Sequence, residues 1–115
     1  MSTPEIEAIE KAIRNAKTIL DTAGALDRLK KNKDFKDVVM KGYFREEAIR
    51  LVHLKANNSM QDPEAQKSIL NQIDAIGHFC VYMDNTYKKA EQAAKIVEDG
   101  PDLLNECYLE QEELA

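Results

Sequence analysis

The chain has 115 residues, of which 43% are hydrophobic and 32% are charged, with only four glycines and three prolines. A chain of this size buries about two-thirds of its unfolded surface, so one modest core is feasible. The proportions of hydrophobic and charged residues exclude a fully disordered chain. The net charge of −5 disfavours a nucleic-acid-binding protein, and the scarcity of glycine and proline disfavours a multi-strand β-sandwich.

The charges are divided along the chain. Residues 96–115 contain seven acids and no Lys or Arg, whereas residues 28–55 contain nine bases against four acids. A basic middle and an acidic end can attract each other, within one chain or between copies. The densest basic run, Lys30, Lys31 and Lys33, lies at a predicted helix end, where bases suit the negative end of the helix dipole. We favour that explanation over a nucleic-acid patch.

The sequence carries no sign of membrane insertion or export. No run approaches the roughly 20 apolar residues that a membrane-spanning helix needs, and the first residues are polar and acidic, unlike a signal peptide. The two cysteines, Cys80 and Cys107, form no CxxC motif, which is typical of a reduced, intracellular setting. We therefore expect a cytoplasmic protein.

A first long helix is predicted over about residues 3–31. Ser2 or Thr3 can cap its start, and Pro4 suits the first turn. Its apolar residues are spaced alternately three and four apart, which predicts a heptad seam that packs against another helix. These residues are Ile6, Ile9, Ile13, Ala16, Leu20 and Ala23.

Two short helices are predicted between the long ones. Asp34 can cap the first, and Gly42 is predicted to end it. A single helix continued straight through Gly42 would place residues 35–39 and 44–52 on different faces, so we predict a break there.

A second long helix is predicted over residues 63–99. Asp62 followed by Pro63 is a strong helix start, and Gly100 followed by Pro101 is a typical stop. Its seam is spaced four and three apart and is long enough that a second copy of the chain is expected to cover part of it. The seam residues are Ile69, Ile73, Ile76, Cys80, Met83, Tyr87, Ala90, Ala94 and Val97.

The predicted fold is therefore an all-α helical bundle domain over residues 1–100, followed by an acidic C-terminal tail over residues 101–115. The tail carries Leu103, Leu104 and Tyr108 among its acids. It can form a short amphipathic helix that folds back or frays, which we favour, or a peptide that docks in a partner's groove.

No catalytic, cofactor-binding or metal site is predicted. Asp74 and His78 have metal-ligand spacing, but the seam places both on the outer helix face, so surface positions are favoured. Cys80 is interpreted as a core residue and Cys107 as more exposed, with a cysteine nucleophile disfavoured. An ion pair four residues apart, Glu46 with Arg50, is predicted to support the helix. We therefore expect a non-enzymatic protein.

Residues 35–52 (FKDVVMKGYFREEAIRLV) and 73–77 (IDAIG) resemble parts of small uncharacterised proteins of tailed bacteriophages. The resemblance covers about 45 residues of the chain and carries no catalytic motif. It implies a virion component, an assembly factor or a modulator of a host protein, located in the infected bacterium or in the virion.

The leading hypothesis is a helical phage structural or assembly protein that self-associates through the second long helix and contacts a larger protein. The alternatives are an inhibitor or adaptor that binds a host protein, and a nucleic-acid accessory protein that uses the basic residues between Lys30 and Lys41. The residues predicted to contact partners are Ile69, Ile73, Ile76, Phe79, Tyr82, Met83, Tyr87, Lys30, Lys31, Lys33, Leu103, Leu104 and Tyr108.

Overall fold

The structure is a computed structural model that describes residues 3–114, and among these residues it is 96% helical with no strand. Two long helices and a middle helix account for nearly all of it, so the predicted all-α fold is confirmed. Helix α1 spans Thr3–Lys31 and α3 spans Pro63–Leu114. The middle helix, α2, consists of three consecutive stretches, Lys33–Phe35, Lys36–Glu47 and Ala48–Ala56, and a short 3₁₀ turn follows at Asn58–Met60.

The described residues form two compact units. Residues 26–84 make up one, which we call the central unit, and residues 3–25 together with 85–114 make up the other, the terminal unit. Each unit therefore takes part of α3 and packs it against a different helix segment.

The core of the central unit lies between α2 and the first part of α3. Leu51 is fully buried, and Ile69 and Ile76 are 2% and 7% exposed. Half-buried side chains from both helices and from the 3₁₀ turn pack against this cluster: Tyr43, Phe44, Ala48, Leu54, Met60 and Ile73. Burying a leucine or isoleucine side chain contributes about 1.5–3 kcal/mol, so these contacts hold α2 on α3.

Polar side chains fix the turn between α2 and α3. Asp62 caps α3 by accepting a 3.1 Å hydrogen bond from the backbone N–H of Ala65, as the Asp62–Pro63 pattern predicts. The side-chain amide of Gln66 donates to the carbonyl oxygens of Lys55, at 3.0 Å, and Met60, at 2.7 Å. Carbonyl groups at the end of a helix have no hydrogen-bond donor within the helix. The Gln66 amide supplies such a donor at the end of α2.

The predicted break at Gly42 is absent, and a single middle helix replaces the two short ones. Lys36–Glu47 is a π-helix, the helix type in which N–H groups bond to the carbonyl five residues earlier. The wider turns rotate the side chains that follow around the helix axis. Residues 35–39 and 44–52 can therefore belong to one helix without a break. The backbone is tight there: a Cβ on Gly42 would lie 3.2 Å from the carbonyl oxygen of Asp37.

In the terminal unit, α1 and the last part of α3 run antiparallel. Tyr108 donates its hydroxyl hydrogen to Glu10 Oε1 at 3.0 Å, and Gly100 lies against Ile13, three residues further along α1. A Cβ on Gly100 would be 2.6 Å from Ile13 Cγ1, so any other residue there would force the Ile13 side chain or the helix to move. The buried hydrophobic residues of this unit are Ile6, Ala16, Ala23, Ala93 and Cys107.

The predicted end of the second long helix at Gly100–Pro101 is wrong, because α3 continues through Pro101 to Leu114. A proline inside a helix costs about 3 kcal/mol or more, since it removes one hydrogen bond and crowds the preceding turn. Beyond the proline, however, Cys107 is buried and Tyr108 bonds to α1. This packing offsets the local cost, and residues 101–114 are the last turns of α3 and do not fold back as a separate segment.

The buried stripe of α3 also departs from the predicted seam after Ala90. Ala94, a predicted seam residue, is exposed, and the neighbouring Ala93 is buried instead. The stripe advances by three residues twice in succession, from Tyr87 to Ala90 and on to Ala93, and then resumes its alternation of four and three. Such a step shifts the apolar edge around the helix and locally overwinds the packing.

Leu51 offers a direct test of the central core. We expect Leu51→Ala to lower the free energy of unfolding by about 2–5 kcal/mol, because it leaves a cavity in a fully buried site. Val52 is the matched control: it is the next residue and is 60% exposed, so Val52→Ala should change stability by less than about 0.5 kcal/mol. Urea denaturation followed by circular dichroism measures both, and equal effects would contradict the core assignment.

Two glycines in α3 should respond in opposite directions to alanine. A Cβ on Gly77 would meet nothing within 4 Å, so Gly77→Ala should stabilise the protein by about 0.5–1 kcal/mol through helix propensity. Gly100→Ala should lower the melting temperature despite the same propensity gain, because the new methyl group collides with Ile13. A stabilising Gly100→Ala would show that α1 and α3 are not in close contact there.

Candidate interaction surfaces

The residues considered for metal binding lie on the outer face of α3. Asp74 and His78 are both exposed, as the seam predicted. Among residues 3–114, no group of three or more His, Cys, Asp or Glu side chains lies close enough together to hold a metal ion.

The two cysteines are placed differently from the prediction. Cys107, expected to be exposed, is only 1% exposed, because α3 continues past Pro101 and carries it onto α1. Burial raises the pKa of the Cys107 thiol, and the nearby carboxylates of Glu110, Glu5 and Glu106 raise it further. The thiol therefore stays protonated at neutral pH, where a catalytic cysteine would need to be a thiolate.

Arg50 pairs with a different acid from the one predicted. Its Nε donates to Glu47 Oε2 at 3.0 Å, so the pair is three residues apart and does not involve Glu46. The hydrogen bond from Arg50 lowers the pKa of the Glu47 carboxyl, and the same contact raises the pKa of Arg50. Both side chains lie at the surface, so the pair supports the helix and forms no site.

The predicted apolar and aromatic contact residues fall into three groups by exposure. Ile69, Ile76 and Met83 are buried within the chain, so a partner cannot reach them in the folded protein. Ile73, Tyr87 and Leu104 are half-buried. Phe79, Tyr82, Leu103 and Tyr108 are 41%, 66%, 47% and 46% exposed, so these predicted apolar and aromatic residues remain accessible to a partner.

The central unit presents an exposed aromatic surface. Phe79 contacts the rings of Phe44 and Tyr43, with centroids 5.2 and 6.5 Å apart. Tyr43 and Val38 line a shallow groove along the π-helical stretch together with Val39, Gly42 and Glu47. Tyr82 lies one helical turn beyond Phe79. We call Val38, Tyr43, Phe79 and Tyr82 the aromatic surface. Val38 and Tyr43 were missed by the sequence reasoning, because the π-helix decides where they lie.

The terminal unit carries a second accessible depression, which we call the terminal groove. It has a volume of about 270 Å³ and runs between α1 and α3. Its lining is almost entirely apolar, with one base and one acid at its edge: Ile9, Ala12, Ile13, Lys95, Ile96, Asp99, Gly100 and Leu103. Of these, only Leu103 was predicted to contact a partner. The groove as a whole was not predicted, because the predicted helix end at Gly100–Pro101 placed Leu103 in a separate segment.

The predicted basic patch is accessible in part. Lys31 and Lys33 are exposed and Lys30 is half-buried, at the end of α1 and the start of α2. Nucleic-acid binding at these lysines stays a prediction. Within residues 3–114, no helix has both the length and the apolar character required to cross a bilayer.

The buried thiol gives a chemical test of the terminal unit. In a Cys80→Ser variant, the remaining Cys107 should react with a disulfide reagent at pH 8 at least about tenfold more slowly than the same chain in denaturant. The raised pKa of the Cys107 thiol also makes the stability of the fold depend on pH. The stabilisation that the protonated thiol contributes is present below the ordinary thiol pKa and is lost as the pH rises through the pKa of the folded protein. The matched Cys107→Ser variant reports on half-buried Cys80, and should react faster. Rapid labelling of Cys107 under native conditions would place the end of α3 away from α1.

Comparison with known proteins adds no relative. No protein-family model matches the chain, and no curated protein or solved structure matches it either. The resemblance of residues 35–52 to phage proteins therefore stays a prediction, and the function has to be argued from the surfaces themselves.

Proposed function

We propose that this chain is a non-enzymatic helical assembly protein of a tailed bacteriophage, which self-associates and contacts a larger protein. The aromatic surface is the observation that carries the proposal. Val38 and Tyr82 are 69% and 66% exposed. Val38 lines a groove together with Tyr43, and Tyr82 lies one helical turn from Phe79. Scattered exposed hydrophobic residues are ordinary, whereas contiguous ones mark interaction sites.

The chemistry of this surface suits a protein partner. Aromatic side chains are enriched at protein interfaces because they bury a large area and lose little conformational freedom. The rings of Tyr43, Phe44 and Phe79 already hold one another in place, so binding would require little further ordering. Tyrosine hydroxyls at the edge can bond to polar groups of the partner.

The phage setting rests on the resemblance of residues 35–52, a stretch that includes Val38 and Tyr43. The part of the sequence that resembles phage proteins therefore overlaps the surface that we assign to partner contact. An inhibitor or adaptor of a host protein is the second candidate, and it would use the same surface. The two differ only in whether the bound protein belongs to the virion or to the host.

The experiment is capture from infected cells with a matched pair of variants. We expect the tagged chain to retain a specific protein, and the double variant Val38→Ser/Tyr82→Ser to retain at least about tenfold less, because each substitution removes apolar contact area. The control is Val81→Ser, since Val81 adjoins Tyr82 in the sequence, is 52% exposed and lies outside the aromatic surface. Thermal melts of all variants establish that they fold.

Mass spectrometry of the retained protein then separates the two candidates. A virion protein supports the assembly role, and a host protein supports the inhibitor or adaptor. Capture that is unaffected by the double variant, or that is lost on nuclease treatment, would refute a protein contact at the aromatic surface.

A further inference from the structure

The terminal groove leaves apolar side chains accessible along both of its walls. Ile96 and Leu103 of α3 are 41% and 47% exposed, and they face Ile9 and Ala12 of α1 across it. Heptad contact between two helices covers one stripe on each, and these residues lie beside that stripe. The terminal unit thus has a two-helix face that a further helical layer could cover.

The charged side chains of α3 beside this groove change sign along the helix. Lys95 and Asp99 both line it, one helical turn apart. Continuing at helical spacing along the same side, Lys88 precedes them and Glu106 follows, and all four side chains are exposed. Of these four side chains, the two bases precede residue 97 and the two acids follow it. The exposed Glu91, four residues before Lys95, is the exception on this side.

We infer that the occupant of the terminal groove is a second copy of this chain, with its α3 antiparallel to the first. In that orientation, Lys95 of each copy faces Asp99 of the other, and Lys88 of each faces Glu106 of the other. Both pairings follow from a single two-fold axis near residue 97. A parallel arrangement of the two helices would place like charges together, which disfavours it.

This arrangement also matches how symmetric dimers are built. A two-fold interface uses the same surface on both copies, so a residue and its contact must both belong to that surface. The terminal groove meets this condition, because it carries the base, the acid and the apolar lining together. Two α1–α3 pairs packed face to face in this way form a four-helix bundle, whose apolar interior is covered on both sides. The inference rests on the self-association in the proposed function and specifies its surface.

Charge-swap variants of the full chain test the pairing. In Lys95→Asp, the new carboxylate faces Asp99 of the other copy at two symmetric places, and Asp99→Lys likewise opposes two lysines. We expect each single variant to weaken dimerisation at least about tenfold, because like charges replace opposite ones. The double variant Lys95→Asp/Asp99→Lys restores both pairs and should dimerise as the wild type does.

Mixing the two single variants gives the sharpest result. Lys95→Asp and Asp99→Lys should each be weakened alone, yet form a mixed dimer together, since every pair between them is then of opposite charge. Sedimentation velocity of the separate and mixed samples measures this. Glu98→Lys is the matched control: it changes the charge as Asp99→Lys does but lies about 100° further round the helix, away from the groove. It should leave the dimer unchanged.

The outcomes separate this inference from the proposed function. A wild-type dimer that none of the charge variants weakens would refute the groove as its interface and leave self-association standing. Weakening by the single variants without recovery in the mixture would refute the antiparallel pairing. A wild type that stays monomeric at several hundred micromolar would refute self-association itself, and the groove with it. Melting curves for each variant confirm that the helices remain folded.

Discussion

Burial of one continuous apolar stripe on α3 is the constraint on which the rest of the structure depends. In the central unit the stripe runs through Ile69, Ile76 and Met83, and in the terminal unit through Ala93 and Cys107. Each unit covers its part with another helix segment, because an exposed stripe of this length would cost its full hydrophobic free energy. The remaining features, including the close approach at a glycine and the polar turn after α2, serve to bring a covering helix to this stripe.

The sequence predicts the fold wherever a local pattern and the packing agree. The three- and four-residue spacing of apolar residues identifies both long helices, and Asp62 followed by Pro63 locates the start of α3. It fails where packing outweighs a local signal. Gly100 and Pro101 are a strong stop within one segment, yet α3 continues because the turns beyond them are held by α1. Similarly, the mismatch of faces around Gly42 was recognised correctly, but the chain resolves it by widening the helix rather than by breaking it.

The continuation of α3 through Pro101 and the π-helix around Gly42 also explain why the interaction surfaces were only partly predictable. Phe79 and Tyr82 flank the seam of α3, so their position beside the core could be inferred from spacing alone. Val38 joins them only because the π-helical stretch changes the phase of α2, which no heptad count anticipates. The terminal groove depends in turn on helix continuation, since Leu103 reaches it only if α3 passes through Pro101. A surface formed by an unexpected helix continuation has no signature in either segment taken separately.

The close contact at Gly100 also explains why the terminal unit leaves a groove open. With no side chain on Gly100, Ile13 can sit directly against the α3 backbone, and the two helices meet along narrow, small-residue edges such as Ala16 and Ala93. Because small residues cover only a narrow stripe of the facing helix, the larger side chains beside them, Leu103 and Ile96, keep part of their surface accessible. Exposed apolar area of this kind contributes binding affinity but does not fix the orientation of a partner. The charges along α3 contribute little affinity but do favour one orientation. A surface that combines the two can select one orientation of one partner, which is the property that an assembly protein requires.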